Sequence, residues 1–156
     1  MLETGQAAPD FTLPRDGGEA VTLSDVRPSP VILFFYPKDD TSSCTKEAVS
    51  FTELSGAFEE AGVKVFGISK DTVAKHDKFR DKHSLGIPLL SDAETEVCEA
   101  YGVWKEKKMY GKTYMGIERT TVLIAGAGNV VQVWPKVRVP GHAEAVLEAV
   151  KAKCQC

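Results

Sequence analysis

The sequence predicts an α/β domain with a mixed central sheet flanked by helices and an N-terminal β-hairpin. Three observations carry that expectation. VILFFY (31–36) is a continuous apolar run between Pro30 and Pro37, as in a strand covered on both faces. Strand-like and helix-periodic segments alternate after it, and two strand-like runs flank a glycine-rich turn at residues 126–129. At 156 residues the chain reads as one domain, residues 1–156 with a short Cys-Gln-Cys tail. A domain of that size buries about 68–70% of the surface exposed by the unfolded chain.

Each element has its own signal. In FTLPRDGGEAVTL, two short alternating arms surround Asp16-Gly17-Gly18, which suits a hairpin turn because glycine tolerates positive φ. VILFFY follows as the central strand. Ala48, Phe51, Leu54, Phe58 and Ala61 then recur at three- and four-residue intervals, so the spacing predicts an amphipathic helix stopped by Gly62. VKVFGIS (63–69) reads as a second strand, and residues 72–84 as a polar, weakly periodic helix. This β-α-β-α run implies a parallel pair joined by a crossover helix. Residues 95–101 form a short helix ended by Gly102, and TTVLIA (120–125) with VVQVW (130–134) forms a second hairpin. Residues 141–153 place Ala143, Val146, Leu147 and Val150 on one face of a closing helix. This order of elements matches a thioredoxin-like fold.

Composition narrows the function classes. The chain is 43% hydrophobic and 26% charged with a net charge of −3, so it lacks the basic footprint of a nucleic-acid binder. No apolar run approaches the roughly 18 residues of a membrane span. MLETGQAAPDF lacks a basic region and a long apolar segment, so it does not read as a signal peptide, and the expected address is cytoplasmic. In that compartment Cys44, Cys98, Cys154 and Cys156 are expected as reduced thiols rather than a disulfide framework. No cofactor or metal set is apparent: His76, His83 and His142 lie in polar contexts and read as solvated helix residues. Gly126-Ala127-Gly128 joins two strands and lacks the spacing of a dinucleotide loop. Lys105, Lys107, Lys108 and Lys112, interspersed with Trp104, Met109, Tyr110 and Tyr114, read as a solvated loop. That composition could also recruit a reductant, or its apolar members line an active-site rim.

YPKDDTSSCTKEA (36–48) places one cysteine where a buried strand gives way to a helix. The first turn of a helix presents unpaired N–H groups and the positive end of its dipole, which favour a thiolate. The thiolate is the nucleophilic form of cysteine. Most free cysteines are small packing residues, but the polar neighbours Thr41-Ser42-Ser43 and Thr45-Lys46 argue against packing here. A thiol-disulfide oxidoreductase would carry C-x-x-C at this turn; this chain has Thr41-x-x-Cys44. A hydroxyl replaces the partner thiol, which shifts the chemistry toward attack by one thiolate on something small.

Pro37-x-x-x-Thr41-x-x-Cys44 resembles the active-site signature of the peroxiredoxins. FFYPKDDTSSCTKEA, GISKD, IPLLSD and CEAYGVWKEKKMYGKTYMGIERTTVLI together resemble the peroxiredoxin Q class, also called bacterioferritin comigratory proteins, from about Gly5 to about Val150. The resemblance implies a peroxidatic role for Cys44, a peroxide-orienting hydroxyl on Thr41, shielding of the thiolate from water by Pro37, and the family's conserved guanidinium in Arg119. Without the motif, Arg119 would read as a solvated arginine at a strand edge. With it, the fork of donors suits both a thiolate and the developing oxyanion of a leaving group. The implied activity is reduction of hydrogen peroxide and organic hydroperoxides, with a thioredoxin- or glutaredoxin-type thiol donor as partner.

Two departures stand out. The family commonly has Pro-Gly before the peroxidatic cysteine, where this chain has Ser42-Ser43. Members that resolve internally carry a second cysteine at positions that here look like Val49 and Arg80. The sulfenic acid must then be reduced by an external thiol, or by Cys98, Cys154 or Cys156 after local unfolding. Cys98 reads better as a partly buried helix residue, whereas the terminal Cys154-Gln155-Cys156 has little packing role. Internally resolving members are often monomers, and a missing resolving cysteine leaves a dimer open. A redox sensor signalling through a mixed disulfide at Cys44 is the alternative function, and a thiol-disulfide oxidoreductase the third.

Overall fold

A five-stranded mixed sheet, ordered β5-β4-β3-β8-β9, organises the chain. The computed structural model describes residues 2–153, so Cys154 and Cys156 lie outside the described residues. Strand β1 (Thr12–Pro14) pairs antiparallel with β2 (Ala20–Thr22), as the hairpin reading expects. Strands β3 (Val31–Phe35), β4 (Lys64–Ser69) and β5 (Leu89–Ser91) run parallel; β8 (Thr120–Ile124) pairs antiparallel with β3, and β9 (Val130–Trp134) pairs antiparallel with β8 and so runs in the direction of β3. The helices are α1 (Ser42–Glu53), α2 (Ser55–Glu60), α3 (Val73–His83), α4 (Val97–Ala100) and α5 (His142–Lys153).

The continuous apolar run is explained by two cores, one on each face of β3. Leu33 and Phe35 join Leu13, Ile68, Cys98, Tyr101, Val122 and Ile117 on one face. Ile32, Phe34 and Tyr36 join Cys44, Ala48, Phe51, Phe58, Phe79 and Val146 on the other. Successive residues of a strand point to opposite faces, so a strand buried on both sides has no polar position. Helices α1, α2, α3 and α5 cover the second face; α4 and the N-terminal hairpin cover the first.

The structure departs from the sequence-based expectations at several points, beginning with β5 (Leu89–Ser91), a strand that no apolar alternation announced. The expected helix over Ala48–Ala61 is interrupted at Leu54, where the backbone leaves helical geometry (φ −95°, ψ 3°) and Ser55 Oγ donates to the Thr52 carbonyl at 2.7 Å. Serine hydroxyls compete in this way for helix carbonyls. Residues 104–117 are not a loop: β6 (Trp104–Met109) and β7 (Lys112–Ile117) form a separate two-stranded hairpin. Its two-residue turn, Tyr110-Gly111, has positive φ at both positions (51° and 76°), the geometry that matches strand twist. Finally, the histidines are not solvated. His76 is fully buried, His142 is buried against Thr121, and His83 is half-buried with Nε2 2.8 Å from Asp40 Oδ1.

His76 ties the loop after β3 to the sheet. Its Nε2 donates to the Leu90 carbonyl at 2.9 Å, and its Nδ1 lies 2.6 Å from Asp39 Oδ2. A carbonyl and a carboxylate both accept, so both ring nitrogens carry protons and the ring is cationic. Burial pulls the imidazolium down, but the hydrogen bond and charge of Asp39 outweigh it and hold His76 above its ordinary value. Tyr36 Oη donates to the other Asp39 oxygen at 2.6 Å, and Asp39 N donates to Asp71 Oδ2 at 2.8 Å.

Two predictions follow from this packing. An added Cβ at Gly67 would lie 2.7 Å from the Phe34 ring, which itself stacks on Phe51 at 4.6 Å, so Gly67→Ala should destabilise by about 1–3 kcal/mol in chemical denaturation. A histidine raised on folding contributes stability that is complete below about pH 6.5 and lost as pH rises through the folded value. His76→Gln should therefore cost about 2 kcal/mol at pH 6 and flatten the fall in wild-type stability at higher pH.

Candidate active site

The end of β3 delivers the chain to the site. Tyr36 closes the buried run, half-buried Pro37 follows, and Asp40 turns the backbone at φ 62°, a conformation that aspartate tolerates. Thr41 is the N-cap of α1, and its carbonyl accepts from Thr45 N at 2.9 Å. Its side chain does not cap the helix; the hydroxyl donates to the Lys38 carbonyl at 3.3 Å. No acidic residue stands in the first turn, so the positive end of the helix is left for another anion.

Cys44 occupies that turn with its side chain turned inward, 1% exposed. Arg119 Nη2 donates to Cys44 Sγ at 3.3 Å, and Arg119 Nη1 donates to Glu47 Oε1 at 2.7 Å. Glu47 lies three residues after Cys44, on the same helix face, so one guanidinium bridges sulfur and carboxylate. Arg119 stands between β7 and β8, and its carbonyl accepts from Val137 N at 2.9 Å. It is thus an inward-facing residue of the site rather than a solvated strand-edge arginine.

The charges around it are strongly perturbed. Glu47 is 2% exposed, and Oε2 is the one buried side-chain oxygen or nitrogen without a partner among the described residues. Burial raises its carboxyl to about 7, with Arg119 partly opposing the rise. Burial also opposes the charge of Arg119, but Glu47 and Cys44 more than compensate and hold the guanidinium above its ordinary value. His142 is lowered to about 4 by burial and by Arg119, and it is therefore neutral at pH 7. Lys107, whose ammonium donates to the Ile117 carbonyl, is lowered by burial and by Arg119.

Of the residues singled out in the sequence, the fold brings Cys44 and Arg119 into contact and keeps Thr41 and Pro37 on the adjoining loop and first turn. Glu47 was not singled out. The available signal was its three-residue spacing from Cys44 within CTKEA, but an acidic side chain in a helix usually faces solvent. Val49 is half-buried, and Arg80 pairs with buried Asp16 at 2.9 Å. Cys98 is fully rather than partly buried, and it lies in the core on the opposite face of the sheet from Cys44. Burial first, then the charge of Asp92, pushes its thiol well above the ordinary range.

Residues 4–133 match the AhpC/TSA family. The chain is 52% identical over 146 residues to the putative peroxiredoxin bcp of Coxiella burnetii, covering 94% of this chain and 97% of that protein. It is 45% identical over 150 residues to peroxiredoxin Bcp of Bacillus subtilis, covering 96% of each. The solved structure of Xanthomonas campestris bacterioferritin comigratory protein superposes with a TM-score of 0.91 at 44% identity, covering 99% of both chains. A Xylella fastidiosa PrxQ mutant gives a TM-score of 0.94 at 38% identity, again over 99% of both. With full-length matches of this kind around a buried cysteine and its guanidinium, the chain belongs to the AhpC/TSA family and, within it, to the Bcp, or peroxiredoxin Q, class.

Proposed function

We propose that this peroxiredoxin reduces hydrogen peroxide and organic hydroperoxides through Cys44, and that an external thiol regenerates it. The carrying observation is the 3.3 Å contact between Arg119 Nη2 and Cys44 Sγ at the uncapped start of α1. The Cys44 thiolate attacks one oxygen of the O–O bond in line. The S–O bond forms, the O–O bond breaks, and the leaving oxygen takes a proton to depart as water or an alcohol. Charge moves from sulfur to the leaving oxygen, and a guanidinium fork plus helix N–H groups accompanies it without reorganisation. Pro37 shields this turn from water in the proposal, and Thr41 orients the peroxide after its hydroxyl exchanges the Lys38 carbonyl for the ligand.

Regeneration draws on a thiol that attacks the sulfenic sulfur, releasing water and forming a mixed disulfide that a second thiol then breaks. Cys98 is unsuited to this step, because the sheet separates it from Cys44 and its thiolate is disfavoured. The candidate tail thiols Cys154 and Cys156 lie outside the described residues. A thioredoxin- or glutaredoxin-type donor is the reductant we favour. Because the sulfur is 1% exposed, a protein thiol reaches it only after the first turn of α1 opens. The thiols Cys44 and Cys98 are free in the structure and suit a reducing, cytoplasmic compartment. No described helix is long and apolar enough to cross a membrane. The relatives do not favour the sensor alternative.

Cys44→Ser should abolish peroxide consumption while leaving circular dichroism and thermal unfolding near wild type; turnover in that variant would overturn the assignment. Glu47 supplies a second test. Its carboxyl is neutral below about pH 7 and ionised above it, so the ion pair that holds Arg119 forms as pH rises. The second-order rate with peroxide should therefore carry an inflection near pH 7 that Glu47→Gln lacks. At pH 8 the variant should react roughly tenfold more slowly, while at pH 6 it approaches wild type.

A further inference from the structure

We infer that the β6–β7 hairpin is the docking surface for the protein that reduces Cys44, and that this partner is an acidic dithiol protein of the thioredoxin type. The inference rests on the reading above that an outside thiol regenerates the enzyme. The large hydrophobic side chains left exposed among the described residues all lie on this hairpin: Met109 (54%), Tyr110 (96%), Tyr114 (43%) and Met115 (50%). Exposed apolar groups gathered on one element mark an interaction site more strongly than the same groups scattered over a surface. Methionine and tyrosine also adapt to or anchor protein contacts at little entropic expense.

Charge identifies the occupant. Residues 104–117 carry four lysines against Glu106, a local charge of +3 in a chain of net charge −3, so the remainder of the molecule carries −6. Lys105 is partly answered by Glu118 at 3.4 Å, whereas Lys108 and Lys112 flank the exposed turn. An acidic partner is repelled by most of this protein and drawn to the hairpin, which orients the encounter before contact. A second copy docking hairpin to hairpin would oppose +3 with +3.

Position makes that encounter productive. Strand β7 ends at Ile117, two residues before Arg119, and Lys107 bonds the Ile117 carbonyl, so the base of the hairpin is continuous with the site. At the other strand's start, the Lys70 ammonium lies 5.2 Å from the centre of the Trp104 ring and fixes the base to the body of the domain. The hairpin pairs with no strand of the main sheet among the described residues, so it forms an element of its own whose base leads into Arg119.

The test uses the full chain and two tip variants, Lys108→Glu/Lys112→Glu and Tyr110→Ala/Met115→Ala, all outside the catalytic machinery. Three rates are compared: single-turnover oxidation by hydrogen peroxide, turnover with dithiothreitol, and turnover with an acidic thioredoxin, its reductase and NADPH. The first two should match wild type. The KM for thioredoxin should rise roughly tenfold in each variant, with the salt dependence of kcat/KM flattened only in the charge variant. Unchanged KM in both variants, or a wild-type enzyme that thioredoxin does not reduce, overturns the inference. A concentration-dependent dimer in sedimentation that both variants abolish assigns the patch to a second copy and also overturns it. Failure of wild-type turnover with dithiothreitol would instead sink the peroxidase reading.

Discussion

One guanidinium placed between a sulfur and a buried carboxylate holds the candidate site of this protein together. Arg119 can hold that position because its donors are satisfied in two directions, by Cys44 Sγ and by Glu47 Oε1, while the helix start supplies further positive potential. Removing a charge from water is expensive unless it is paired and hydrogen-bonded. The site answers that constraint only in part: one Glu47 oxygen has no partner among the described residues, and its carboxyl titrates near 7. The pairing of Arg119 is therefore sensitive to pH around neutrality.

The rest of the fold serves to bring these groups together. Strand β3 carries the loop and first turn, and β8 begins one residue after Arg119; the two strands are neighbours in the sheet, with Phe35 paired to Thr120. This antiparallel register brings the Arg119 side chain to Cys44 although 75 residues separate them. The Asp39–His76–Tyr36 network then pins the intervening loop against α3. At the first turn of α1 the Thr41 side chain makes only a hydroxyl bond to the Lys38 carbonyl and leaves the helix start without a side-chain cap.

Much of the fold was legible because hydrophobic periodicity is local. The apolar run of β3, the spacing of α5 and the Asp16-Gly17-Gly18 turn each need only neighbouring residues to be read. The hairpin over 104–117 escaped because its lysines break the alternation that marks a strand, and its turn is Tyr-Gly rather than the usual Asn-Gly or Asp-Gly. The histidines escaped for a different reason. His76 is flanked by Lys75 and Asp77, so its context is polar in sequence, yet its own helix face meets Asp39 and the Leu90 carbonyl. Glu47 was hidden likewise, since only a residue 72 positions away gives its burial a compensation.

The sequence by itself determined the strands and helices other than β5 and the β6–β7 hairpin, and the placing of one thiol at a strand-to-helix turn, because propensity, periodicity and turn chemistry act over a few residues. Through its likeness to a family it also pointed to Arg119 and to the reaction. Only the tertiary structure decided that Glu47 shares the guanidinium with Cys44, that Cys98 lies across the sheet, and that His76 is a buried cation. Those outcomes depend on desolvation and on partners far away in the chain, and neither exists until the strands have paired and the helices have closed over them.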